Sequence, residues 1–278
     1  MYHAFRGLLL FCFVTCFPLA ASAVEPPLIL GVFPRHNAAE TVRMFSPLVE
    51  YLAKKLGRKV QLETNKDFPS FWKDVAGQRY DLVHYNQLHY IRSHAEFGYE
   101  AILMNEEDGA STIAGVIVVR KDRGIGQLQD LKGKKIIFGG DKTALMAYIV
   151  PTKLLRKAGL GDGDYIEEFA KNPPNALLGA YYRQADAAGI GDVVMKLPVI
   201  TRQADISELV IVAKSEPIAH LPWAVKKTMA PALRKKIQST LTILKNSAEG
   251  QDILKKANLT GLVMADDKDY DQIKNIVR

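Results

Sequence analysis

The sequence predicts an α/β protein of two lobes, each a mostly parallel sheet flanked by helices, the two joined by two crossing strands. Three observations carry this reading. Short apolar segments alternate with amphipathic ones along most of the chain, the order that builds parallel sheets with helices on both faces. The same small plan occurs twice: GQRYDLVHYN (77–86) and YRQADAAGIGD (182–192) each run from a helix end through a polar pair to an Asp, an apolar strand and a polar loop that opens a helix. Two long apolar stretches, STIAGVIVVRKD (111–122) and ELVIVAKSEPIAHLPWAVKK (208–227), suit segments that pass from one lobe to the other.

Taken in order, LILGVF (28–33) is a buried strand, PRHNAAE a loop, and FSPLVEYLAKKLG an amphipathic helix that ends at Gly57. RKVQLET returns as a strand, FPSFWKDVAGQ is a short helix, YDLVHY (80–85) a third strand, and NQLHYIRSHAEFG a helix capped by Asn86. Phe68, Phe71 and Trp72 have helical spacing and read as core. The middle of the chain repeats the plan. LKGKKIIFGG is a strand opening onto a helix after Asp141, YIEEFA a strand, PPNALLGAYYRQ a helix, ADAAGI a strand and GDVVMKLP a helix. Helices APALRKKIQSTLTIL, SAEGQDILKKA and YDQIKNIV close the chain. The expected division is residues 24–115 with 217–278 as lobe one and 116–216 as lobe two, with Trp223 packed at the hinge. Such an arrangement is a hinged cleft, and open α/β sheets bind ligands beyond the carboxyl ends of their strands.

Residues 1–23 stand apart. Arg6, the run LLLFCFVTCFPLA and Ala21-Ser22-Ala23 have the form of a cleaved export signal, so a periplasmic location is expected. Both cysteines of the chain, Cys12 and Cys16, fall inside it, leaving a body without disulfides or thiolate metal sites. The formal charge is +7, and Arg6 is the one formal charge of the first 23 residues, so the body carries +6. That balance suits a small anion. Nucleic acid is not an expected partner, because LAKKLGRK, KGKK and LRKKI lack interleaved aromatics and glycines.

The stretch FGGDKTALMAYIVP (138–151) concentrates anion-friendly features. Gly139-Gly140 give backbone freedom, Asp141 can cap, and the amides that follow are the unpaired donors of a helix start. Pro151 is expected to kink the helix begun near Thr143. No catalytic arrangement accompanies it: the chain has no G-x-S-x-G elbow, Walker loop or H-E-x-x-H, and neither enzyme activity nor a cofactor is expected.

LGVFPRHNAAETVRMFSPLVEYLAKKLG, YDLVHYNQLHY, RKDRGIGQLQDLKGKKIIFG and the F-G-x8-Y-x-V-P pattern of 138–151, in this order, resemble the periplasmic phosphate/phosphite/phosphonate-binding (PhnD-like) solute-binding proteins. The resemblance covers nearly the whole chain after the signal. It implies the type II periplasmic binding protein fold, a small oxyanion held between the lobes, an ABC permease as partner and a monomeric state. It also implies that Tyr85 and Asn86 face the cleft, and that Lys142-Thr143-Ala144 stand where the family carries a Ser-Thr-Ser run. Asp192, His36 and His220 complete the expected ligand contacts. Two other readings use the same fold: a metal or metal-chelate site built from His36, His84, His220 and Met146, and a periplasmic sensor domain.

Overall fold

The computed structural model describes residues 25–277, so the expected export signal lies outside the described residues. The first lobe opens with strand β1 (Leu28–Val32), helix α1 (Ala38–Leu56), β2 (Val60–Glu63), α2 (Phe68–Ala76), β3 (Leu82–His84), α3 (Gln87–Phe97) and β4 (Tyr99–Glu106). A short β5 (Thr112–Ile113) leads to β6 (Gly115–Arg120), β7 (Lys135–Gly139), α4 (Val150–Lys157), β8 (Ile166–Ala170), α5 (Pro173–Tyr181), β9 (Ala187–Gly191), α6 (Pro198–Thr201) and β10 (Leu209–Lys214). The chain returns through β11 (Ile218–Ala219) to β12 (Pro222–Lys226), α7 (Pro231–Thr242), α8 (Ala248–Lys256), β13 (Gly261–Met264) and α9 (Asp271–Val277).

Local chemistry explains these bounds. Asn37 accepts a hydrogen bond from the Glu40 amide at the start of α1, and Gly57, at φ 71°, closes the helix in the left-handed conformation a side chain would resist. Asp67, Asn86 and Asn172 cap α2, α3 and α5 in the same way. Pro198 forces Leu197 into an extended conformation. GDVVMKLP is therefore a 3-10 turn (Asp192–Lys196) followed by α6, where one helix is expected.

Two large sheets result, in the orders β13-β4-β12-β3-β1-β2 and β10-β6-β9-β7-β8, beside a two-stranded β11-β5 ladder. Each buries an apolar cluster on both faces. Both are mixed, where mostly parallel sheets are expected: β12 is antiparallel to β3 and β4, β13 to β4, and β6 to β9 and β10. The crossings supply the reason. β6 and β12 each enter their sheet where β1, β3, β7 and β9 end, so they run back against those strands. The stretch 208–227 is accordingly divided among β10, β11 and β12, with β11 pairing β5 as an antiparallel ladder, Ile218 opposite Ile113 and Ala219 opposite Thr112. Trp223 lies inside the six-stranded sheet, fully buried, with Nε1 donating to Asn105 Oδ1 at 2.8 Å, and is not packed between lobes.

The repeated plan has a structural counterpart. Asp81 accepts from the Ile29 amide at the start of β1, and Asp186 accepts from the Lys135 amide at the start of β7, at 2.9 and 3.0 Å. The Asp ahead of the strand in each repeat therefore clasps the neighbouring parallel strand of its own sheet.

Candidate functional site

The loops that follow β1, β3, β7, β8 and β9 meet at one small cavity of about 70 Å3 between the two sheets. Phe33 to Arg35 come from the first, Asn86 and Gln87 from the second, Gly139 to Gly140 and Ala144 to Ala147 from the third, Asn172 and Pro173 from the fourth, and Gly191 and Val194 from the fifth. Ile113 of β5 and Leu221 just before β12 line it from the crossings.

The stretch after β7 differs from the expected kinked α-helix. Leu145–Ile149 forms a π-helical turn that continues into α4, with Pro151 in the first turn of α4. A proline has no amide to donate, and the five-residue bonding of a π turn accommodates this without an interior kink. Tyr148 and Ile149 both donate to Ala144 O, at 2.8 and 3.1 Å. The amides of Leu145, Met146 and Ala147 have no acceptor among the described residues, while all three residues line the cavity and are buried. Gly139 sets this turn against α5, since a Cβ there would lie 2.3 Å from Pro173 Cα.

The electrostatics favour an anion. Arg35 is the sole charged residue among those lining the cavity, and no carboxylate lines it. The helix starts at Asn86, Ala144 and Asn172 turn their positive ends toward the same space. Asn86 and Asn172 use Oδ1 for capping, which leaves their side-chain NH2 groups to donate. Behind the cavity, Arg35 Nη1 donates to Glu107 Oε1 at 3.2 Å, and Asn105 Nδ2 donates to the same oxygen at 3.0 Å. Burial pushes the Glu107 carboxyl up, yet Arg35, His220 and Asn105 outweigh it and hold it below its ordinary range.

Several expected contacts are placed elsewhere. Tyr85 is fully buried in the first lobe, its hydroxyl 2.6 Å from Ser93 Oγ, whose own proton goes to Tyr90 O; aromatic packing draws the ring away from the cavity. Lys142 extends into solvent, with Nζ 3.7 Å from Glu167. Thr143 donates both its amide and its hydroxyl to Asp141 Oδ1, at 2.8 and 2.5 Å. Asp192 accepts from the Ala114 amide and pairs with Lys214 Nζ at 2.9 Å, which fastens the crossing next to β6. His220 is fully buried, with Nδ1 accepting from the Leu221 amide and Nε2 3.8 Å from Glu107. Asn86, Ala144 and Met146 do line the cavity, and Phe68, expected in the core, lines it too.

The histidine constellation does not assemble. His36 and His84 line a separate space of about 20 Å3, and His84 stacks on Trp223 with ring centroids 4.5 Å apart. Among the described residues no group of three or more His, Cys, Asp or Glu is placed to hold a metal ion. Burial depresses His36 and His220 to about 4 and His84 to about 3, so the rings are neutral at physiological pH.

Arg35 and Gln87 are missing from the sequence expectation, and the unpaired amides expected directly after Asp141 lie instead at Leu145 to Ala147. Only position in the loop after β1 could have singled out Arg35, which the neighbouring His36 overshadows.

Replacing Tyr85 with Phe is expected to change ligand affinity less than about threefold while removing about 1 kcal/mol of stability, the typical worth of one buried hydrogen bond. Calorimetric titration beside a thermal melt checks this, and a tenfold loss of affinity would return Tyr85 to the site.

The family described as ABC transporter, phosphonate, periplasmic substrate-binding protein matches the chain over residues 30–270. The chain belongs to this family. Its expected resemblance, two-lobed α/β fold and general role are thereby met. Among relatives of this phosphonate-transporter family, the phosphonates-binding periplasmic protein of Escherichia coli (strain K12) is 22% identical over 225 residues, covering 79% of this chain and 67% of that protein. PhnD1 of Prochlorococcus marinus (MIT 9301), in complex with methylphosphonate, has TM-score 0.79 at 17% identity, covering 90% of this chain and 96% of that one. The binding protein component of an ABC phosphonate transporter from Pseudomonas aeruginosa also gives 0.79, at 16% identity, covering 91% and 86%. These relatives are solute-binding proteins. Among the described residues no helix is long and apolar enough to cross a membrane.

Proposed function

We propose that the protein is the periplasmic substrate-binding component of an ABC importer and closes around a small phosphonate or phosphite. The lobes are residues 24–115 with 217–278 and residues 116–216, and the mature chain begins after Ala23. It works as a monomer, without catalysis, and presents the closed lobes to an inner-membrane permease. The observation that carries this reading is the donor set of one small cavity: the Arg35 guanidinium, the Asn86 side chain and the amides of Leu145 to Ala147, with no carboxylate among the lining residues. Methylphosphonate in the Prochlorococcus relative supports the ligand class. Phe33, Phe68 and Leu221 supply an apolar wall for a small substituent on phosphorus.

The test is a thermal-shift panel of methylphosphonate, phosphite, phosphate, sulfate, copper and zinc. Methylphosphonate or phosphite is expected to raise the melting temperature, by the equivalent of about 2.7 kcal/mol at a hundred times its dissociation constant. A rise with copper or zinc alone would overturn the oxyanion reading.

A further inference from the structure

Gln87 lines the cavity from the first position of α3 and is 1% exposed. Its Nε2 donates to Ala219 O at 3.1 Å. That bond fixes the orientation of the amide, because turning it over would set oxygen against carbonyl oxygen. Oε1 is thus the free end, and it is buried without any hydrogen-bond donor in the protein. The other side-chain polar groups of the lining that are left free, on Arg35, Asn86 and Asn172, are donors, since the two Asn oxygens are taken by capping. A site of donors alone would suit a fully ionised oxyanion, and the buried acceptor is the exception to that pattern.

We propose, resting on the oxyanion reading of this cavity, that Gln87 Oε1 accepts the acidic O–H of the bound ligand. The site then takes the monoanion of a phosphonate or phosphite in preference to its dianion, and in preference to a sulfonate, which has no such hydrogen. An ammonium group is another donor that a ligand can bring. It is disfavoured because no carboxylate lines the cavity to receive it and because Arg35 would repel it. Charge balance points the same way: the Arg35 guanidinium is already shared with Glu107, so one negative charge on the ligand is better matched than two.

The charged and titratable groups around Gln87 do not obscure the effect. Arg35 lies in the loop after β1, Glu107 follows β4, His220 lies between β11 and β12, and His89 is on α3 itself. Asp141 and Asp192 lie on the second lobe. Burial depresses His89 and His220 to about 4, and His36 beside Arg35 to about 4 as well. Near neutral pH these rings stay neutral, while a phosphonate passes through its second ionisation.

The experiment is calorimetric titration of the protein with methylphosphonate, methanesulfonate and 2-aminoethylphosphonate at about pH 6 and about pH 8.5, on either side of that ionisation. Methylphosphonate is expected to bind about tenfold more tightly at the lower pH, and both other probes about tenfold more weakly than methylphosphonate there. Gln87→Met, similar in volume and without the acceptor, is expected to abolish the pH preference and the discrimination against sulfonate. Equal or tighter methylphosphonate binding at the higher pH, or a preference kept by Gln87→Met, would overturn the inference while leaving the oxyanion site standing. Failure of methylphosphonate, phosphite and phosphate to bind at either pH would overturn the site reading as well. Should Gln87→Met fail to fold, the parent protein's pH comparison still decides.

Discussion

Arg35→Met is expected to weaken methylphosphonate binding roughly 100-fold, equivalent to about 2.8 kcal/mol. A hydrogen bond to a charged group is worth about 1.5–3 kcal/mol, and Arg35 is the one charged residue lining the cavity. The same substitution leaves Glu107, whose side chain is 6% exposed, without its cation. Stripping one partner from a buried pair costs about 3–5 kcal/mol, with a partial discount here because the Arg35 side chain keeps some access to solvent. Binding and stability are separable. Arg35→Met combined with Glu107→Gln is expected to recover much of the lost melting temperature and none of the affinity, because the second change removes the stranded charge but restores no donor. Titration of the parent and the two variants beside their melts checks this. Affinity within about threefold of the parent in Arg35→Met would show that the guanidinium does not meet the ligand.

Gly139→Ala is the second change expected to have a large effect. A Cβ at this position would stand 2.3 Å from Pro173 Cα and 2.8 Å from Pro173 N, and backbone cannot swing aside as a side-chain tip can. Overpacking of this kind costs about 1–3 kcal/mol, and occasionally more. The strain falls where β7 meets α5, so Asn172 and the amides of Leu145 to Ala147 would shift together. Ligand affinity is expected to fall at least about tenfold along with the melting temperature, since sub-ångström misplacement of several donors weakens all of them. Gly126→Ala serves as the control: its nearest neighbour would be Asp130 Oδ2 at 3.9 Å, and its stability should stay within about 0.5 kcal/mol of the parent. An unaltered Gly139→Ala protein would mean that β7 and α5 move apart freely.

The framework of the fold was legible because its cues are local. Gly57 ends α1, Asn86 caps α3, and the paired Asp81 and Asp186 mark equivalent strand starts, although α1 begins at Ala38, inside the stretch PRHNAAE read as a loop. β4 and β13 are absent from the reading of the sequence. YEAILMNE alternates poorly because both of its faces are covered, and GLVM is too short to carry a period. Strand direction was not legible either: which way β6 and β12 run depends on where the chain crosses.

The site was legible to the level of a loop and not to the level of a side chain. The turn after β7 lines the cavity, but its hydroxyl and its cation serve other partners, Thr143 with Asp141 and Lys142 facing Glu167. Those partners come from a local capping interaction and from the adjacent strand β8, neither of which residue type alone reveals. Tyr85 is a similar case, since whether a residue at a strand end turns inward or toward the cleft is set by the aromatic cluster beneath it. The free amides belong to the backbone, and a sequence shows them only as a helix start.

The π-helical turn also fixes a length. At one end Gly139 lies against Pro173 with no room for a methyl group, and at the other Val150 sits over Gly115, where an added Cβ would meet it at 2.6 Å. Within this span, over Leu145–Ile149, the chain holds one residue more per hydrogen-bonded ring than an α-helix would. The segment thus acts as a ruler between the cavity wall and the strand that crosses from the first lobe. A residue gained or lost within it would bring Ile149 or Pro151 over Gly115, and neither end has slack to absorb the change.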